Sequence, residues 1–321
     1  MRVLVTGGAG FIGSHVVEQS LAQGWEVSVI DNLSTGRRHN LPHDAHLYEV
    51  DLRDRDATLR AVRDFRPEHV SHQAAQPSVA VSVREPRLDA DVNVMGGLNL
   101  LDACTAPGVN VPGLVFASTG GAIYGEVAGG HRAAEGEPPN PLSPYAIHKL
   151  AFERLLEVYR LHRGLGFTAL RYSNVYGPRQ DAHGEAGVIA IFLRRALEGK
   201  PLTINARQSA GDDGCVRDYV YVSDVARANV LALKGEIHES VVNVATGVGT
   251  TTRELGRRIL AVTGCDVELE PAAKRPGDLG RSVLDPSLTE RYLGSLVGLD
   301  RGLARTHAAF ATEPPSPTSD L

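Results

Sequence analysis

Short apolar segments alternate with amphipathic stretches through the first half of the chain. The first apolar segment ends in a glycine-rich turn at 7–13, and an amphipathic stretch at 14–23 leads to Gly24 and a second apolar segment at 26–30. A strand, a helix and a strand within about 30 residues make a right-handed crossover unit, so the strands are predicted to be parallel. Further apolar segments follow at 47–50, 69–72, 114–117 and 167–171. The pattern therefore predicts an α/β fold with a doubly wound parallel sheet.

Two longer helices are predicted between the later strands. Their residues are 91–105 and 144–162. Ser143 is a suitable N-cap for the second helix, and Pro144 suits its first position because proline lacks the N–H that would have no partner there.

The regular alternation ends near residue 172. Glycine- and proline-rich segments follow, and they suit a smaller lobe of loops and short elements. We therefore expect a large domain at 1–172 and a smaller C-terminal lobe at 173–310, with the segments 220–233 and 241–244 as candidates to return to the large sheet. The proline-rich tail at 311–321 has too little apolar content to pack and is predicted to be disordered.

The composition excludes several partners. The formal net charge of −5 leaves no broad basic field, so nucleic acid is not expected as a partner. No apolar run reaches the roughly 18 residues of a membrane span, and no signal peptide is recognisable, so we expect a soluble, uncleaved protein without a membrane partner. Cys104, Cys215 and Cys265 have no C-x-x-C spacing. They are interpreted as reduced thiols in the cytoplasm, and no metal site is expected.

The glycine-rich turn carries the first candidate chemistry. Gly7, Gly10 and Gly13 permit a tight turn and a close approach of the backbone to a pyrophosphate, whose charge the helix N-terminus stabilises. Asp31 ends the second strand, where a carboxylate accepts hydrogen bonds from the adenosine ribose and repels a 2′-phosphate. NAD is therefore favoured over NADP. Arg37 and Arg38 are the counter-evidence, since either cation would suit that phosphate.

Two further strand ends are predicted to border the cofactor. Asp51 and Leu52 follow the third strand and would lie near the adenine. Ala74 and Ala75 follow the fourth strand and offer small side chains where a cofactor passes close to the backbone. Ordinary loop packing explains both pairs equally well.

A tyrosine and a lysine form the candidate catalytic pair. Tyr145 and Lys149 stand four residues apart on the helix predicted at 144–162, so they project from one face. Lys149 and a positively charged nicotinamide ring are expected to lower the pKa of Tyr145 from about 10, so that its phenolate serves as a general base. Thr119, at the end of a strand, would hydrogen-bond the reacting oxygen, with Ser118 as the alternative donor. Alone, a tyrosine four residues from a lysine is common on helix surfaces.

The motifs extend over nearly the whole chain. They occupy 7–13, 31–33, 118–125, 143–149, 171–180, 216–220 and 275–278. Jointly they resemble those of the NAD-dependent epimerase/dehydratase family of extended short-chain dehydrogenases/reductases, most of all its UDP-glucose/UDP-galactose 4-epimerases. The resemblance implies a Rossmann-like NAD-binding domain at 1–172, a lobe at 173–310 that binds a nucleotide sugar, and a homodimer that packs the predicted helices 91–105 and 144–162.

The resemblance assigns binding roles residue by residue. For NAD it implies Gly7, Gly10, Phe11, Ile12, Gly13, Asp31, Asn32, Leu33, Ser34, Thr35, Gly36, Asp51, Leu52, Gln73, Ala74, Ala75, Asn93, Tyr145, Lys149 and Tyr172. For the UDP-sugar it implies Ser78, Thr119, Tyr145, Asn174, Val188, Arg217, Arg275 and Asp278. Guanidinium groups suit phosphate oxygens. The simpler alternatives are a structural salt bridge between Arg217 and Asp218 and a loop cation at Arg275.

The residues after Thr119 separate the reactions of the family. Its dehydratases carry an Asp-Glu pair directly after the threonine, and its uronate decarboxylases usually carry a Glu in this stretch, whereas this chain has Gly120 and Gly121. The resemblance therefore implies a 4-epimerase, in which a C4 hydride passes to tightly bound NAD and returns to the other face of a 4-keto sugar. The rival hypotheses are a dehydratase, a sterol-type dehydrogenase and a non-catalytic dinucleotide sensor.

The sugar is the least constrained part of the prediction. In the family's galactose epimerases, the residue four places after the aspartate of the Arg-x-Gly-Asp segment can line the sugar pocket, and here this residue is Ser282. A side chain so small predicts that N-acetylated UDP-hexosamines are accepted, unless Ser282 faces solvent. The alternative is a UDP-glucuronate 4-epimerase, whose substrate carboxylate needs a cation or several donors. Arg179 and the 78–79 region are the candidates for this role, and Asp181 adds unfavourable charge.

Overall fold

The computed structural model describes residues 1–181, 187–275 and 277–312. Its strands are β1 Arg2–Thr6, β2 Glu26–Asp31, β3 His46–Glu49, β4 His69–His72, β5 Gly113–Thr119, β6 Gly166–Tyr172, β7 Asn174–Tyr176, β8 Leu202–Asn205, β9 Val216–Tyr221, β10 Val241–Val244, β11 Gly249–Thr251, β12 Leu269–Ala272 and β13 Arg281–Ser282. Its α-helices are α1 Phe11–Leu21, α2 Arg55–Phe65, α3 Val79–Arg84, α4 Pro86–Ala90, α5 Gly97–Cys104, α6 Gly120–Ile123, α7 Pro144–Arg163, α8 Val188–Leu197, α9 Val222–Leu233, α10 Thr252–Thr263, α11 Ser287–Leu293 and α12 Leu299–Thr312. A 3-10 turn at Arg38–Asn40 and a π-helix at Asp91–Gly96 complete the elements.

The large sheet is parallel and doubly wound, as predicted. In the described part of the chain its seven strands run in the order β10-β6-β5-β4-β1-β2-β3. The chain winds outward from β1 in both directions, so the connections after β1 and β4 leave on opposite faces and a crevice opens between the carboxyl ends of these strands. Such a crevice is where ligands of this architecture bind. Two apolar clusters cover the faces of the sheet, one beneath α1 and α9 and one beneath α2, α5 and α7.

The smaller lobe is built on β9. This strand pairs with β7, β11 and β13, while β8 pairs with β12 beneath α8 and α10. The segment Val241–Val244 returns to the large sheet as β10 and pairs with β6, as its sequence had suggested. Val222–Leu233 is the helix α9, which packs against α1 on the face of the large sheet. Two segments that come after the predicted boundary at 172 therefore pack with the large domain.

Helix boundaries follow local capping signals. The Ser143 hydroxyl accepts a hydrogen bond from the Ala146 N–H at 3.3 Å, and α7 closes at Gly164 with φ +72°. Helix α1 begins at Phe11, three residues before the predicted start, because Gly10 already adopts the extended conformation of an N-cap residue.

One predicted helix and the predicted disordered tail differ from expectation. The first six residues of the stretch predicted as one α-helix at 91–105 form the π-helix, and α5 begins only at Gly97. A Cβ at Gly97 would lie 2.3 Å from the Phe152 ring, so this close crossing with α7 needs glycine. At the C-terminus, α12 continues to Thr312, so the predicted disordered tail was wrong for 311–312; residues 313–321 lie outside the described residues. Among the described helices, none is long and apolar enough to cross a bilayer.

Candidate active site

The glycine-rich turn after β1 forms a cradle free of side chains. Gly7 has φ +67°, and a Cβ there would lie 2.6 Å from the backbone nitrogen of Ala74. A Cβ at Gly13 would lie 2.0 Å from the Gly7 carbonyl oxygen, and at Gly10 the same oxygen is 3.2 Å away. The turn therefore lies directly against the segment after β4, at the crevice where the strand order changes. This arrangement fits a dinucleotide whose pyrophosphate meets the N-terminus of α1, where Phe11 is the first residue.

Asp31 is held at the end of β2 beside this turn. It is 7% exposed, and it accepts hydrogen bonds from the Ala9 N–H at 3.0 Å and the Leu33 N–H at 2.8 Å. Burial raises the pKa of Asp31, and the two backbone hydrogen bonds oppose that rise. A Cβ at Gly36 would lie 2.8 Å from the carboxylate, so the loop passes close over it. The carboxylate is thus fixed where an adenosine ribose is expected.

The loop after β2 forms a hydrogen bond with the segment that follows β3. The Asn32 side chain donates to Asp51 Oδ2 at 2.9 Å and accepts from the backbone and the hydroxyl of Ser34, while Thr35 is exposed. Asp51 also pairs with Arg53 at 2.6 Å, and hydrogen bonds from Arg53 hold the pKa of Asp51 well below its usual range. These contacts order the loop that is predicted to surround the adenosine.

Leu52 has a different environment from Asp51. Its side chain is 8% exposed and belongs to the apolar cluster beneath α2 and α5. Packing is therefore its visible role, and a contact of Leu52 with the adenine stays a prediction.

The two arginines that would favour NADP both have acidic neighbours. Arg38 pairs with Glu49 at 2.9 Å, and an Arg37 nitrogen lies 3.9 Å from an Asp181 oxygen. Both arginine side chains are more than half exposed, at 66% and 52%. These positions fit solvated loop charges better than a phosphate site.

Asp31→Ser should remove most of the preference for NAD over NADP. For the wild type we expect NADP to bind at least about 100-fold more weakly than NAD, since a fixed carboxylate repels a 2′-phosphate and accepts the ribose hydroxyls. Calorimetric titration of both cofactors measures the ratio, and Asp44→Ser, on an exposed loop, controls for the change in charge. NADP in the protein as isolated would overturn the assignment and make Arg37 or Arg38 its ligand.

Gln73 and Tyr172 meet between the ends of β4 and β6. The Tyr172 hydroxyl donates to Gln73 Oε1 at 3.3 Å and accepts from the Asn229 side chain at 2.8 Å. Asn229 also accepts from Gln73 Nε2 at 2.9 Å. This buried residue of α9 was not identified from the sequence, because no local motif marks it. Asn229 is therefore hydrogen-bonded to two residues that are predicted to contact NAD.

Asn93 lies in the π-helix and is 3% exposed. Its amide accepts from the backbone N–H of Gln76 and donates to the backbone carbonyl of the same residue, both at 3.0 Å. Asn93 therefore orients the segment after Ala74 and Ala75 through direct backbone contacts. Its expected influence on the nicotinamide side would act through that segment.

The catalytic candidates meet at the carboxyl ends of β5 and β6. Tyr145 and Thr119 share a hydrogen bond, which connects the start of α7 to the end of β5. Lys149 is 3% exposed, donates to the Ala117 carbonyl oxygen at 2.9 Å and lies 5.9 Å from the centre of the Tyr145 ring. The structure thus brings together the three residues that the sequence predicted.

Burial dominates the electrostatics of this group in the chain by itself. Burial raises the pKa of Tyr145 to about 12; the Thr119 hydrogen bond opposes the rise and the charge of Asp89 adds to it. Burial also lowers the pKa of Lys149 to about 8, against the attraction of Asp89 and Glu153. For the chain by itself desolvation dominates both groups, so the joint effect of Lys149 and the nicotinamide charge on the pKa of Tyr145 stays a prediction. Ionisation of Tyr145 near neutral pH requires further positive charge beside it.

Ser118 belongs to a buried ion pair. Its hydroxyl donates to Glu153 Oε1 at 2.5 Å, and Arg171 binds the same carboxylate with two nitrogens at 2.6 and 3.0 Å. Glu153 lies one turn beyond Lys149 on α7 and was missed in the sequence because nothing local distinguishes it. Since Ser118 is held by this pair, Thr119 is the hydroxyl beside Tyr145.

The two glycines after Thr119 leave no acid or base at their positions. A Cβ at Gly120 would lie 2.3 Å from a Leu284 methyl carbon and 3.0 Å from the Arg171 carbonyl oxygen, so this position cannot take an aspartate without rearrangement. At Gly121 the nearest atom, on Asn174, would be 3.7 Å from the Cβ. The structure therefore gives a steric reason why the acid of a dehydratase does not fit at position 120.

The predicted phosphate ligand Arg217 lies on β9 and is partly buried. Its guanidinium donates to the carbonyl oxygens of Val216 at 3.0 Å and Leu279 at 2.7 Å. Asp218 instead accepts from Thr246 and from backbone groups, so the alternative of a structural salt bridge between Arg217 and Asp218 was wrong. Arg217 is a guanidinium held by neutral carbonyl groups, which suits an anionic ligand.

The other predicted substrate residues lie around the same lobe. The Asn174 side chain donates to the Asp218 backbone carbonyl at 3.2 Å, and Val188 is the first residue of α8. Arg275 and Asp278 form a salt bridge of 3.0 Å in which the arginine is 66% exposed. Their roles toward a nucleotide stay predictions.

The three residues considered for the sugar site lie in different environments. Ser282 is 2% exposed on β13 and pairs in register with Arg217, so the alternative that it faces solvent was wrong. Arg179 forms an ion pair with Glu18 of α1 through one of its nitrogens. Ser78 caps α3, its hydroxyl accepting from the Val81 N–H at 3.0 Å.

A dinucleotide cradle and a Thr-Tyr-Lys group at one crevice define an enzyme of the extended short-chain dehydrogenase/reductase class. The profile of the NAD dependent epimerase/dehydratase family matches residues 3–245. The chain belongs to this family.

Relatives and solved structures agree with this assignment. A UDP-glucose 4-epimerase of Mycolicibacterium smegmatis is 43% identical and aligns over 97% of this chain and 98% of its own length. The crystal structure of a Thermus thermophilus UDP-glucose 4-epimerase in complex with NAD is 57% identical, with a TM-score of 0.92 and coverage of 97% and 99% of the two chains. A Thermotoga maritima UDP-glucose 4-epimerase with UDP-glucose is 46% identical, with a TM-score of 0.89 and the same coverage.

Proposed function

We propose that this protein is an NAD-dependent 4-epimerase that interconverts UDP-glucose and UDP-galactose. The observation that carries the proposal is the hydrogen-bonded pair of Thr119 and Tyr145 beside Lys149, followed by Gly120 and Gly121. One group for proton transfer, with no acid at the dehydratase positions, suits a reaction that removes and returns hydrogen at a single carbon. The full-length similarity to UDP-glucose 4-epimerases supports the same conclusion.

Each residue of the catalytic group has a separate role in the proposed reaction. NAD, when bound, supplies a reversible hydride acceptor for C4 and a positive charge beside the phenol. Tyr145 would take the proton of the 4-hydroxyl, and it would return that proton after the 4-keto sugar has rotated. Thr119 holds the 4-oxygen, and Lys149 stabilises the phenolate. Because the hydride and the proton both return, the sugar is inverted at C4 and no cofactor is consumed.

The nucleotide is expected to lie against the smaller lobe. Arg217 and Arg275 would bind the diphosphate, with Asn174 and Val188 beside it and Asp278 at the ribose. This arrangement keeps the anionic part fixed while the sugar ring turns.

A substrate panel tests the proposal. We expect the purified protein to retain NAD and to convert UDP-glucose to UDP-galactose without added cofactor. UDP-glucose, UDP-galactose, their N-acetylamino forms and UDP-glucuronate are each incubated with it, and the products are separated by chromatography. No turnover of any UDP-sugar by protein loaded with NAD would favour the non-catalytic sensor.

Lys149→Met should change the pH dependence of turnover. Burial lowers the pKa of Lys149 to about 8. As pH rises through this value the ammonium loses its proton, and wild-type kcat should fall because the phenolate loses a cation. Without the cation the phenol ionises at higher pH, so the variant should be slower, with its optimum shifted upward. Lys234→Met, on an exposed turn, is the control, and an unshifted profile would exclude the coupling.

Ser282→Tyr should separate two classes of sugar. We expect the wild type to accept UDP-N-acetylglucosamine, and the tyrosine to lower kcat/KM for it by roughly 100-fold while UDP-glucose changes by less than about threefold, since a wall beside C2 excludes only the larger group. Ser209→Tyr, on an exposed loop, is the control. Thermal unfolding shows whether the buried site tolerates the ring. Equal losses for both sugars in a folded variant would place Ser282 away from C2.

UDP-glucuronate is ranked behind the neutral hexoses. Arg179, its candidate cation, is paired with Glu18, and Asp181, two residues further along the chain, adds unfavourable charge. A carboxylate buried at C6 would then lack a partner, which is costly. A kcat/KM for UDP-glucuronate about 100-fold above that for UDP-glucose would reverse this ranking.

We further propose a homodimer. Large apolar side chains are exposed on α3, the π-helix and α7, which pack together: Val83, Met95, Ile147, Val158 and Leu161, with exposed fractions of 49–77%. A shared apolar surface of this kind suits a two-fold interface between copies of the chain. Light scattering after gel filtration tests it, and a mass of one chain at micromolar concentration would contradict it.

A cytoplasmic location is also proposed. Cys104, Cys215 and Cys265 are free thiols in the described structure, and the reducing cytoplasm keeps thiols in this form. Fractionation of the source cells tests the location.

A further inference from the structure

A buried carboxylate outside the residues assigned so far lies close to the catalytic group. Asp89 of α4 has no exposed surface. Its Oδ1 accepts from Gln76 Nε2 at 2.6 Å and from Asn93 Nδ2 at 3.0 Å. Its Oδ2 lies 2.5 Å from His148 Nδ1. Both carboxylate oxygens are therefore used, one toward the segment after β4 and one toward α7.

His148 connects this carboxylate to the catalytic helix. It stands three residues after Tyr145 and directly before Lys149, and its side chain is 20% exposed. Its contact with Asp89 joins elements 59 residues apart in the chain. Since α7 is a continuous helix, a restraint on His148 also restrains the positions of Tyr145 and Lys149.

The segment on the other side of Asp89 is held by a closed set of hydrogen bonds. The Gln76 N–H donates to Asn93 Oδ1 at 3.0 Å, and the Ser78 N–H donates to Gln76 Oε1 at 2.6 Å. Gln76 Nε2 bridges Asp89 and the Ser78 carbonyl oxygen, at 2.6 and 2.9 Å. This segment follows Ala74 and contains Ser78, so it is expected to face both the cofactor and the sugar.

We propose that Asp89 and His148 are positioning residues that fix the segment 76–78 to helix α7. Direct hydrogen bonds from Gln76 to Asp89 and between Asp89 and His148 hold the segment 76–78 against α7, and the helix itself carries the Tyr145 phenol. A buried hydrogen-bonded contact of a carboxylate is weak evidence for stability on its own, because desolvation of the carboxylate offsets the gain. The placement of this pair between two walls of the site is what favours a positioning role, whose catalytic consequence rests on the proposed function.

The test compares two replacements of the same imidazole. In His148→Asn, the amide nitrogen takes the approximate place of Nδ1 and still donates to Asp89; in His148→Gln, the nitrogen lies one carbon further out, near the place of Nε2. Backbone hydrogen exchange of Gln76 and Ser78 is measured in the purified full-length protein, together with kcat on UDP-glucose and the midpoint of thermal unfolding. His162→Gln, on the exposed end of α7, is the matched control.

We expect His148→Gln to speed exchange at Gln76 and Ser78 by at least about tenfold and to lower kcat by roughly 10- to 100-fold, because reacting groups lose their fixed geometry. In His148→Asn, the exchange rates of Gln76 and Ser78 and the kcat should both lie within about threefold of the wild-type values. The two variants should nevertheless have similar midpoints of thermal unfolding. Wild-type exchange in His148→Gln, or equal exchange in the Asn and Gln variants, would overturn the proposal. A wild type without epimerase activity would refute the proposed function, whereas the exchange comparison would still decide the positioning role.

Discussion

Tyr145→Phe should abolish epimerisation while leaving the fold and nucleotide binding intact. The replacement keeps the ring and removes only the oxygen that accepts and returns the proton, so kcat should fall by at least about 100-fold. The measurement is turnover of UDP-glucose, with NAD content determined on the same preparation. Tyr159→Phe is the matched control, since it lies on the same helix and its hydroxyl donates to Asp102 at 2.7 Å, away from Thr119.

The outcome of this comparison is decisive for the role of the phenol. A Tyr145→Phe variant that keeps more than about a tenth of wild-type turnover would remove Tyr145 as the base, because a positioned base contributes more than this. Loss of NAD together with activity would instead indicate a binding role. The expected result is an inactive variant with full NAD content.

Gly13→Ala should abolish retention of NAD. A Cβ there would lie 2.0 Å from the Gly7 carbonyl oxygen, so the turn must move away from the position that fits a pyrophosphate. Gly10→Ala, where the same oxygen is 3.2 Å away, should weaken retention less. Because overpacking also costs roughly 1–3 kcal/mol of stability, thermal unfolding accompanies the assay of bound NAD.

A surface glycine provides the control for this series. At Gly129 an added Cβ meets no described atom within 4 Å, so Gly129→Ala should retain NAD as the wild type does. Equal NAD content in Gly13→Ala and the wild type would show that the turn does not form the cofactor site.

The parts of the fold that follow local patterns were predictable. The strands from β1 to β6 coincide with short apolar segments of the sequence. The glycine-rich turn and Asp31 lie at the ends of β1 and β2, where a dinucleotide-binding fold requires them. Tyr145 and Lys149 were recognisable because helical spacing places them on one face and because the motifs around them support the same assignment.

The remaining parts depend on contacts distant in sequence. Asn229 reaches Gln73 across 156 positions, and Glu153 reaches Ser118 across 35. No local periodicity marks such partners. The effect of burial on the pKa of Tyr145 could not be judged from the sequence for a related reason, since burial is defined only by the packed structure. The π-helix likewise has no marker that we recognised in the local sequence.

The most direct test of the central claim is the fate of the hydrogen at C4. UDP-glucose labelled with deuterium at C4 is incubated with the purified protein, and the product is analysed by mass spectrometry and proton NMR. If Tyr145 moves only the hydroxyl proton while the hydride returns to the same carbon, UDP-galactose should form with the deuterium retained at C4 and with no net NADH. Deuterium lost to solvent, or a product that has lost water, would contradict the account.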